Sequence, residues 1–214
     1  MDAFHERLAK LGLAAADRYG FALAGGYAVQ AAGLLQRPSE DVDLFTAWER
    51  RTEFSAAVAA VLEAYRGDGL DVRVELQYDT FARLTVTDGQ HTSKVELGVD
   101  WRANEPVRMA VGPVLHPDDA VANKMAALYG RAFARDFIDV DAAVQSGRYN
   151  RETLLQLAEQ ADSGFGRRVF AAAIGQAHVL DDDDFAPYGV HGEQLNGLRT
   201  RFAAWRAEIT DSTS

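Results

Sequence analysis

Apolar residues follow two different spacings along the chain, and the change from one to the other falls near residue 115. Three segments with alternating apolar positions, 71–78, 81–88 and 92–100, predict strands, and Asp88-Gly89-Gln90 predicts a hairpin turn between the last two. Short apolar stretches at 19–24 and 41–45 predict two further strands. Apolar positions three or four residues apart predict helices over 1–18, 27–35 and from Thr52 to Tyr65.

After His116 the apolar spacing is helical throughout. Pro117 followed by two acidic residues is typical of a helix start, because proline is tolerated there and acids interact favourably with the helix dipole. Helices are predicted over 118–130, 135–145, 151–161, 165–177 and 191–208. The pattern therefore predicts an α/β (α+β) fold, with a mixed sheet flanked by helices in residues 1–115 and a helical domain in residues 116–214.

Two aspartates interrupt the apolar strand at 41–45. Side chains alternate along a strand, so Asp41 and Asp43 share one face while Val42 and Leu44 point to the other. Two carboxylates this close repel each other unless a cation lies between them, and Mg²⁺ prefers carboxylate oxygens together with phosphates and water. The pair therefore indicates a divalent-metal site, although an aspartate pair on a half-exposed strand is more often without metal.

A third carboxylate is expected from a second strand. In the segment 93–97, Glu96 shares a face with Lys94, and it would join the aspartate pair if this strand lies beside 41–45. Three carboxylates on neighbouring strands suit a two-metal site that transfers a phosphoryl group. Glu75 and Asp100 are the alternatives for the third position.

Gly25 and Gly26 lie between a predicted strand and a predicted helix. Glycine at this place allows unusual backbone angles and a close approach to a ligand, and the helix start offers N–H groups to phosphate oxygens. Ser39 adds a hydroxyl donor just before the aspartate strand. These three residues are therefore candidates for nucleotide binding.

Taken together, the glycine pair, the following helix and the S-x-D-V-D-L-F stretch resemble the signature of the polymerase-beta-like nucleotidyltransferase superfamily. A second block, residues 118–144, has the pattern K-x-x-A-L, R and R-D-hydrophobic-hydrophobic-D. With this block, and with Arg37 and Ser39 before the aspartates, the chain is more narrowly similar to the AbiEii/AbiGii toxin family, to which the MenT toxins belong.

The resemblance implies a minimal nucleotidyltransferase fold and the Mg²⁺-dependent transfer of a nucleoside monophosphate from an NTP, with release of pyrophosphate. It further implies the 3′ acceptor end of tRNA as the acceptor and an antitoxin protein as the partner. The helical domain would then complete the active-site cleft. The sequence departs from the family pattern in two respects. A glycine pair replaces the glycine-serine of several toxins, and the chain is short for the family.

The resemblance also assigns residue roles. Asp41 and Asp43 match the metal-binding pair, Glu96 matches the third carboxylate, and Lys124 matches the triphosphate-binding lysine. Asp136 matches the aspartate of the arginine-aspartate motif near the active site, where it would position Lys124 or assist deprotonation of the acceptor hydroxyl.

Helix geometry gives separate support to part of the second block. Lys124 and Arg131 can share one helix face, where both could bind phosphate oxygens. Lys124 lies within an apolar stretch, so a role beyond solvation is favoured for it, whereas a solvated position is equally compatible with Arg131. Asp136 begins the next helix, where an acid is favoured by the dipole alone.

Composition limits the remaining possibilities. The chain has no cysteine, which excludes disulfides and thiolate metal sites, and its five histidines lack metal-ligand spacing. No apolar segment reaches membrane-spanning length, so a cytoplasmic protein is expected. The net charge of −10 disfavours a broad nucleic-acid-binding surface and keeps an aminoglycoside- or lincosamide-type nucleotidyltransferase as an alternative. A non-catalytic nucleotidyltransferase-like binding module is the third possibility.

Overall fold

A computed structural model describes residues 1–35 and 39–212 of the chain. These residues form two compact units, Met1–Ala120 and Val121–Ser214. The first unit contains a sheet with helices packed on it, and the second consists of helices. Within the described ranges, no helix is both long enough and apolar enough to cross a membrane.

The described part of the first unit contains a seven-stranded mixed sheet. Its strand order is β3-β4-β5-β2-β1-β7-β6. The strands are β1 (Ala22–Leu23), β2 (Asp41–Ala47), β3 (Asp71–Gln77), β4 (Phe81–Thr87), β5 (Thr92–Asp100), β6 (Val107–Met109) and β7 (Gly112–Val114). The sheet confirms the predicted fold class and the predicted hairpin, since β4 and β5 are antiparallel neighbours.

Two helices of the first unit pack together through a buried tyrosine. Helix α1 (Ala3–Ala15) is capped by Asp2, whose side chain accepts the His5 N–H. Helix α3 (Phe54–Gly67) brings Tyr65 into the core, where its hydroxyl donates to the Leu8 carbonyl at 2.9 Å. Because this buried hydroxyl has an acceptor, the tyrosine adds apolar contact to the core without leaving a polar group unsatisfied.

The central pair of strands alternates as the sequence predicts. β2 and β5 are parallel, and Val42 lies opposite Val95 while Asp43 lies opposite Glu96. The valines are fully buried on one face of the sheet, so their neighbours along each strand point to the other face. Burial of the apolar face therefore fixes the register that brings the acidic residues together.

The second unit is helical within its described residues, as predicted. Helix α4 (Pro117–Gly130) contains the boundary between the units and is followed by α5 (Ala134–Gln145), α6 (Arg151–Ala161), α7 (Arg167–Ile174), α8 (Asp182–Phe185) and α9 (Gly192–Ser212). An aromatic cluster lies in its core, with Phe137 edge-to-face on Phe202 and Phe170 edge-to-face on Trp205. These rings account for the helical apolar spacing of this part of the sequence.

Three local features differ from the sequence prediction. The predicted strand 19–24 shortens to Ala22–Leu23, because a 3₁₀ turn (Asp17–Tyr19) ends with Gly20 in a left-handed conformation. The short strands β6 and β7 were missed, since each has only three residues and too little alternation to detect. The acidic run at 181–184, which lies between the helices predicted over 165–177 and 191–208, forms the short helix α8 with Asp181 as its N-cap.

Candidate active site

Three carboxylates converge on one face of the sheet. Asp41, Asp43 and Glu96 each offer an oxygen, and these oxygens all lie within 4.8 Å of one another. Asp43 is buried, whereas the other two are half-buried. The parallel β2–β5 register therefore places Glu96 beside the aspartate pair, as was expected if the two strands are neighbours.

The alternatives for the third position lie elsewhere. Glu75 sits at an irregularity of the edge strand β3, where it accepts a hydrogen bond from the Thr85 hydroxyl. Asp100 lies at the far end of β5, where its carboxylate accepts from Arg102 at 3.0 Å. Of the three candidates only Glu96 belongs to the cluster.

The glycine pair leaves room for the side chains of Asp43 and Ser39. Gly25 begins helix α2 (Gly25–Ala31) with φ +57°, and a Cβ at this position would lie 1.7 Å from Asp43 Oδ2. A Cβ at Gly26 would lie 2.7 Å from the Ser39 hydroxyl oxygen. The glycines therefore allow the helix start, the serine and the buried aspartate to come into contact, which is a closer reason for their presence than the approach of a ligand.

Replacing Gly25 by alanine is expected to lower stability and distort the carboxylate cluster. The new Cβ must displace the Asp43 carboxylate, and a side chain at positive φ costs roughly 1 kcal/mol in addition. Chemical denaturation of Gly25→Ala and Gly33→Ala tests this, because Gly33 has φ +74° and, apart from its chain neighbours, no atom of the described residues lies within 4 Å of the position that an alanine Cβ would take. Equal losses of stability in the two variants would contradict the steric role of Gly25.

Ser39 precedes the aspartate strand and contacts it directly. Its hydroxyl donates to Asp41 Oδ1 at 3.2 Å, and the side chain is buried. This hydrogen bond orients the outer aspartate of the pair. Arg37, which contributes to the family resemblance, lies outside the described residues.

The third carboxylate forms a salt bridge with an arginine whose role was not predicted from the sequence. Arg83 lies directly opposite Glu96 in the antiparallel β4–β5 pair. Its Nε and Nη2 atoms lie 2.8 and 2.7 Å from Glu96 Oε1. The signal was present in the alternation of β4, which places Arg83 on the polar face, but it required knowing which strands are neighbours.

The lysine of the second block is held by a buried carboxylate. Lys124 on α4 lies with its Nζ 2.8 Å from Asp139 Oδ2, and the Asp139 side chain is fully buried. From the family resemblance, Asp136 was expected to position Lys124 or to assist deprotonation of the acceptor hydroxyl. Asp139 contacts this ammonium instead, because it lies one helical turn further along α5.

Asp136 binds the arginine of the same block. Its two oxygens accept from Nε and Nη2 of Arg131, each at 2.9 Å, and one of them also accepts the Phe133 N–H at the start of α5. The carboxylate is fully buried. An aspartate held in this way stabilises the helix start and fixes Arg131, so the geometry disfavours a role for Asp136 as a base.

A hydrogen-bonded cluster of the first unit was also missed. His5 Nδ1 lies 2.5 Å from the Tyr27 hydroxyl and 2.9 Å from Asp2, while Nε2 lies 2.8 Å from the Ser93 hydroxyl. Burial lowers the pKa of His5, and the carboxylates of Asp2 and Asp41 partly oppose this effect. Burial likewise raises the pKa of the Tyr27 hydroxyl. The cluster links α1, α2 and β5, and it lies close enough to Asp41 for the charge of this aspartate to raise the pKa of His5.

The donor set of the cluster fits a hard divalent cation. All three ligand atoms are carboxylate oxygens, which Mg²⁺ prefers, and their spacing allows a shared ion. The close packing of Gly25 on Asp43 holds this carboxylate in place. Asp41, Asp43 and Glu96 are therefore the residues that would hold the metal.

The comparison of the sequence with known families decides the relationship. The profile described as nucleotidyl transferase AbiEii toxin, type IV toxin–antitoxin system, matches residues 11–212. The chain belongs to the AbiEii nucleotidyltransferase toxin family. The resemblance inferred from the glycine pair and the carboxylates is thereby confirmed, whereas no curated protein is similar enough to this AbiEii chain to count as a match.

Solved structures with the same fold include other nucleotidyltransferases. The nucleotidyltransferase toxin MenT4 from Mycobacterium tuberculosis is 18% identical over 98% of this chain and 84% of its own, with a TM-score of 0.59. A proposed nucleotidyltransferase from H. pylori is 16% identical over 99% and 97%, with a TM-score of 0.57. At this level of identity the similarity establishes the fold of the AbiEii chain and leaves its acceptor to be inferred.

Proposed function

We propose that this AbiEii chain transfers a nucleoside monophosphate from an NTP to the 3′ acceptor end of tRNA, as the toxin of a toxin–antitoxin pair in the cytoplasm. The observation that carries the proposal is the convergence of Asp41, Asp43 and Glu96 within 4.8 Å. A set of three carboxylates is costly to assemble unless a divalent cation neutralises it. Membership of the AbiEii family supports nucleotidyl transfer as the reaction that such a metal site would catalyse.

The reaction exchanges one phosphorus–oxygen bond for another. The acceptor hydroxyl oxygen forms a bond to the α-phosphorus, the bond from this phosphorus to the bridging oxygen breaks, and pyrophosphate leaves with its electron pair. Mg²⁺ bound to the carboxylates would supply Lewis-acid stabilisation of the charge on the phosphate oxygens. The hydroxyl proton passes to solvent, because Asp136 is already bound to Arg131 and buried.

The protein's own residues have separate tasks in this proposal. Asp41, Asp43 and Glu96 hold the metal, and Ser39 orients the first of them. Gly25 and Gly26 leave room for the nucleotide phosphates as well as for the aspartate, and Lys124 binds the triphosphate, as the family resemblance implies. Arg131 would contribute a second cation, since its side chain remains 42% exposed while bound to Asp136.

Incubation with each radiolabelled NTP in turn, with total tRNA and Mg²⁺, tests the proposal. We expect one or more nucleotides to label tRNA, and labelling to stop when the tRNA 3′ hydroxyl is removed by periodate oxidation. Labelling that survives this oxidation would contradict the acceptor, and absence of any labelling or pyrophosphate release with all four NTPs would contradict the function. Co-expression with the neighbouring gene product tests for an antitoxin through relief of growth arrest.

The net charge favours a second candidate acceptor. At −10 the chain attracts cations, so an aminoglycoside-type antibiotic is an alternative substrate of the same chemistry. Labelling of such a compound, together with protection of growing cells and no growth arrest on expression, would replace the tRNA proposal. If the folded chain binds neither Mn²⁺ nor NTP, the third hypothesis of a non-catalytic module would apply.

A further inference from the structure

The third carboxylate of the cluster already has a cationic partner from the protein. Arg83 Nε and Nη2 both approach the same oxygen of Glu96, at 2.8 and 2.7 Å. The pair is partly shielded from solvent, with 34% of the Arg83 side chain and 18% of the Glu96 side chain exposed. A charge-assisted contact in such a setting is stronger than a fully solvated surface pair.

A divalent ion and a guanidinium cannot share this carboxylate without cost. An ion bound at Glu96 would bring like charges within a few ångströms of each other, where they repel and where water screens them only in part. Asp41, Asp43 and Glu96 carry three negative charges, and Arg83 reduces the total of these four side chains to two. One divalent ion is therefore enough to neutralise the cluster when no nucleotide is bound.

We propose that Arg83 competes with the divalent ion for Glu96, so that the nucleotide-free protein binds metal through Asp41 and Asp43 while Glu96 stays with Arg83. Arg83 is thus a positioning residue that acts on the metal site through Glu96. The inference rests on the proposed function in one respect, because it assumes that these carboxylates bind a metal ion. The strand register carries it, since Arg83 and Glu96 are direct neighbours across β4 and β5.

Calorimetric titration of the full chain with Mn²⁺ alone tests the competition without any turnover. We expect Arg83→Gln to bind Mn²⁺ about tenfold or more tightly than the wild type, because the competing charge is gone. Glu96→Gln in the wild-type background leaves Arg83 without its carboxylate and lowers the negative charge of the four side chains from two to one, so it should weaken Mn²⁺ binding by less than about tenfold. In the double variant, Glu96→Gln should return the Mn²⁺ affinity to near the wild-type value. A gain in affinity that came from altered structure would persist in the double variant.

Two controls make the result specific. Arg83→Lys keeps a cation beside Glu96 and should stay near the wild-type affinity, and Arg73→Gln removes a more exposed arginine, 76% exposed, from the neighbouring strand. Thermal melts and circular dichroism confirm that each variant is folded. If Arg83→Gln fails to unfold cooperatively, Glu96→Gln decides the matter, since a loss of Mn²⁺ affinity of more than about tenfold would show that Glu96 is already a ligand, and a smaller loss that it is not.

The outcomes separate this inference from the proposed function. Unchanged or weaker Mn²⁺ binding by folded Arg83→Gln, in a series whose wild type binds Mn²⁺, overturns the competition and leaves the function standing. Absence of Mn²⁺ binding in the wild type and in all folded variants overturns the competition and the metal-dependent function together. Tighter binding by Arg83→Gln that requires Glu96 supports the inference.

Discussion

Asp43→Asn is expected to reduce nucleotidyl transfer by about 1,000-fold while leaving the fold intact, which corresponds to about 4 kcal/mol of lost transition-state stabilisation. Asparagine has nearly the same size, so the contact with Gly25 is kept, but the amide removes one of the charges that hold the metal. Initial rates of labelled nucleotide incorporation into tRNA, with pyrophosphate release as a second readout, measure the effect.

The matched control for this variant is Glu75→Gln, which removes a carboxylate from the same sheet but outside the cluster. We expect it to retain the wild-type rate, because Glu75 lies on the edge strand and bonds to Thr85. A rate for folded Asp43→Asn within about tenfold of the wild type, a loss of less than about 1.4 kcal/mol, would show that the buried aspartate is not a metal ligand in the reaction.

The carboxylate cluster was predictable from the sequence because it depends on the local alternation of side chains along a strand. Strand alternation places Asp41 and Asp43 on one face, and the buried Val42 and Leu44 fix that face. Glu96 needed one further assumption, that its strand lies next to β2, and Glu75 and Asp100 remained as alternatives to it. The parallel β2–β5 register, with Asp43 opposite Glu96, removes this ambiguity.

The cationic partners were not predictable in the same way. Arg83 and Glu96 are thirteen positions apart, and their contact follows from the antiparallel β4–β5 register. The pairing of Lys124 depends on the packing of α4 and α5, and the family resemblance gave Asp136 instead of Asp139 as the residue that positions it. Side-chain partners across elements depend on tertiary packing, whereas residue faces along one element depend on local periodicity.

The second large effect, on the free energy of unfolding, is expected from replacing Asp139. Asp139→Asn is expected to lower the free energy of unfolding by about 3–5 kcal/mol, because it leaves the Lys124 ammonium, 12% exposed, without its buried carboxylate. Asp136→Asn is the comparison, and its loss should be smaller because Arg131 is 42% exposed and can turn to water. Urea denaturation measures both, and equal losses would contradict the argument.

Joint replacement of Lys124 and Asp139 by methionine and leucine should restore much of the stability, since an apolar pair needs no compensation for lost hydration. If Lys124 binds the triphosphate, the same double variant should remain inactive although it is stable, and this separates the lysine's contribution to the fold from its contribution to the reaction.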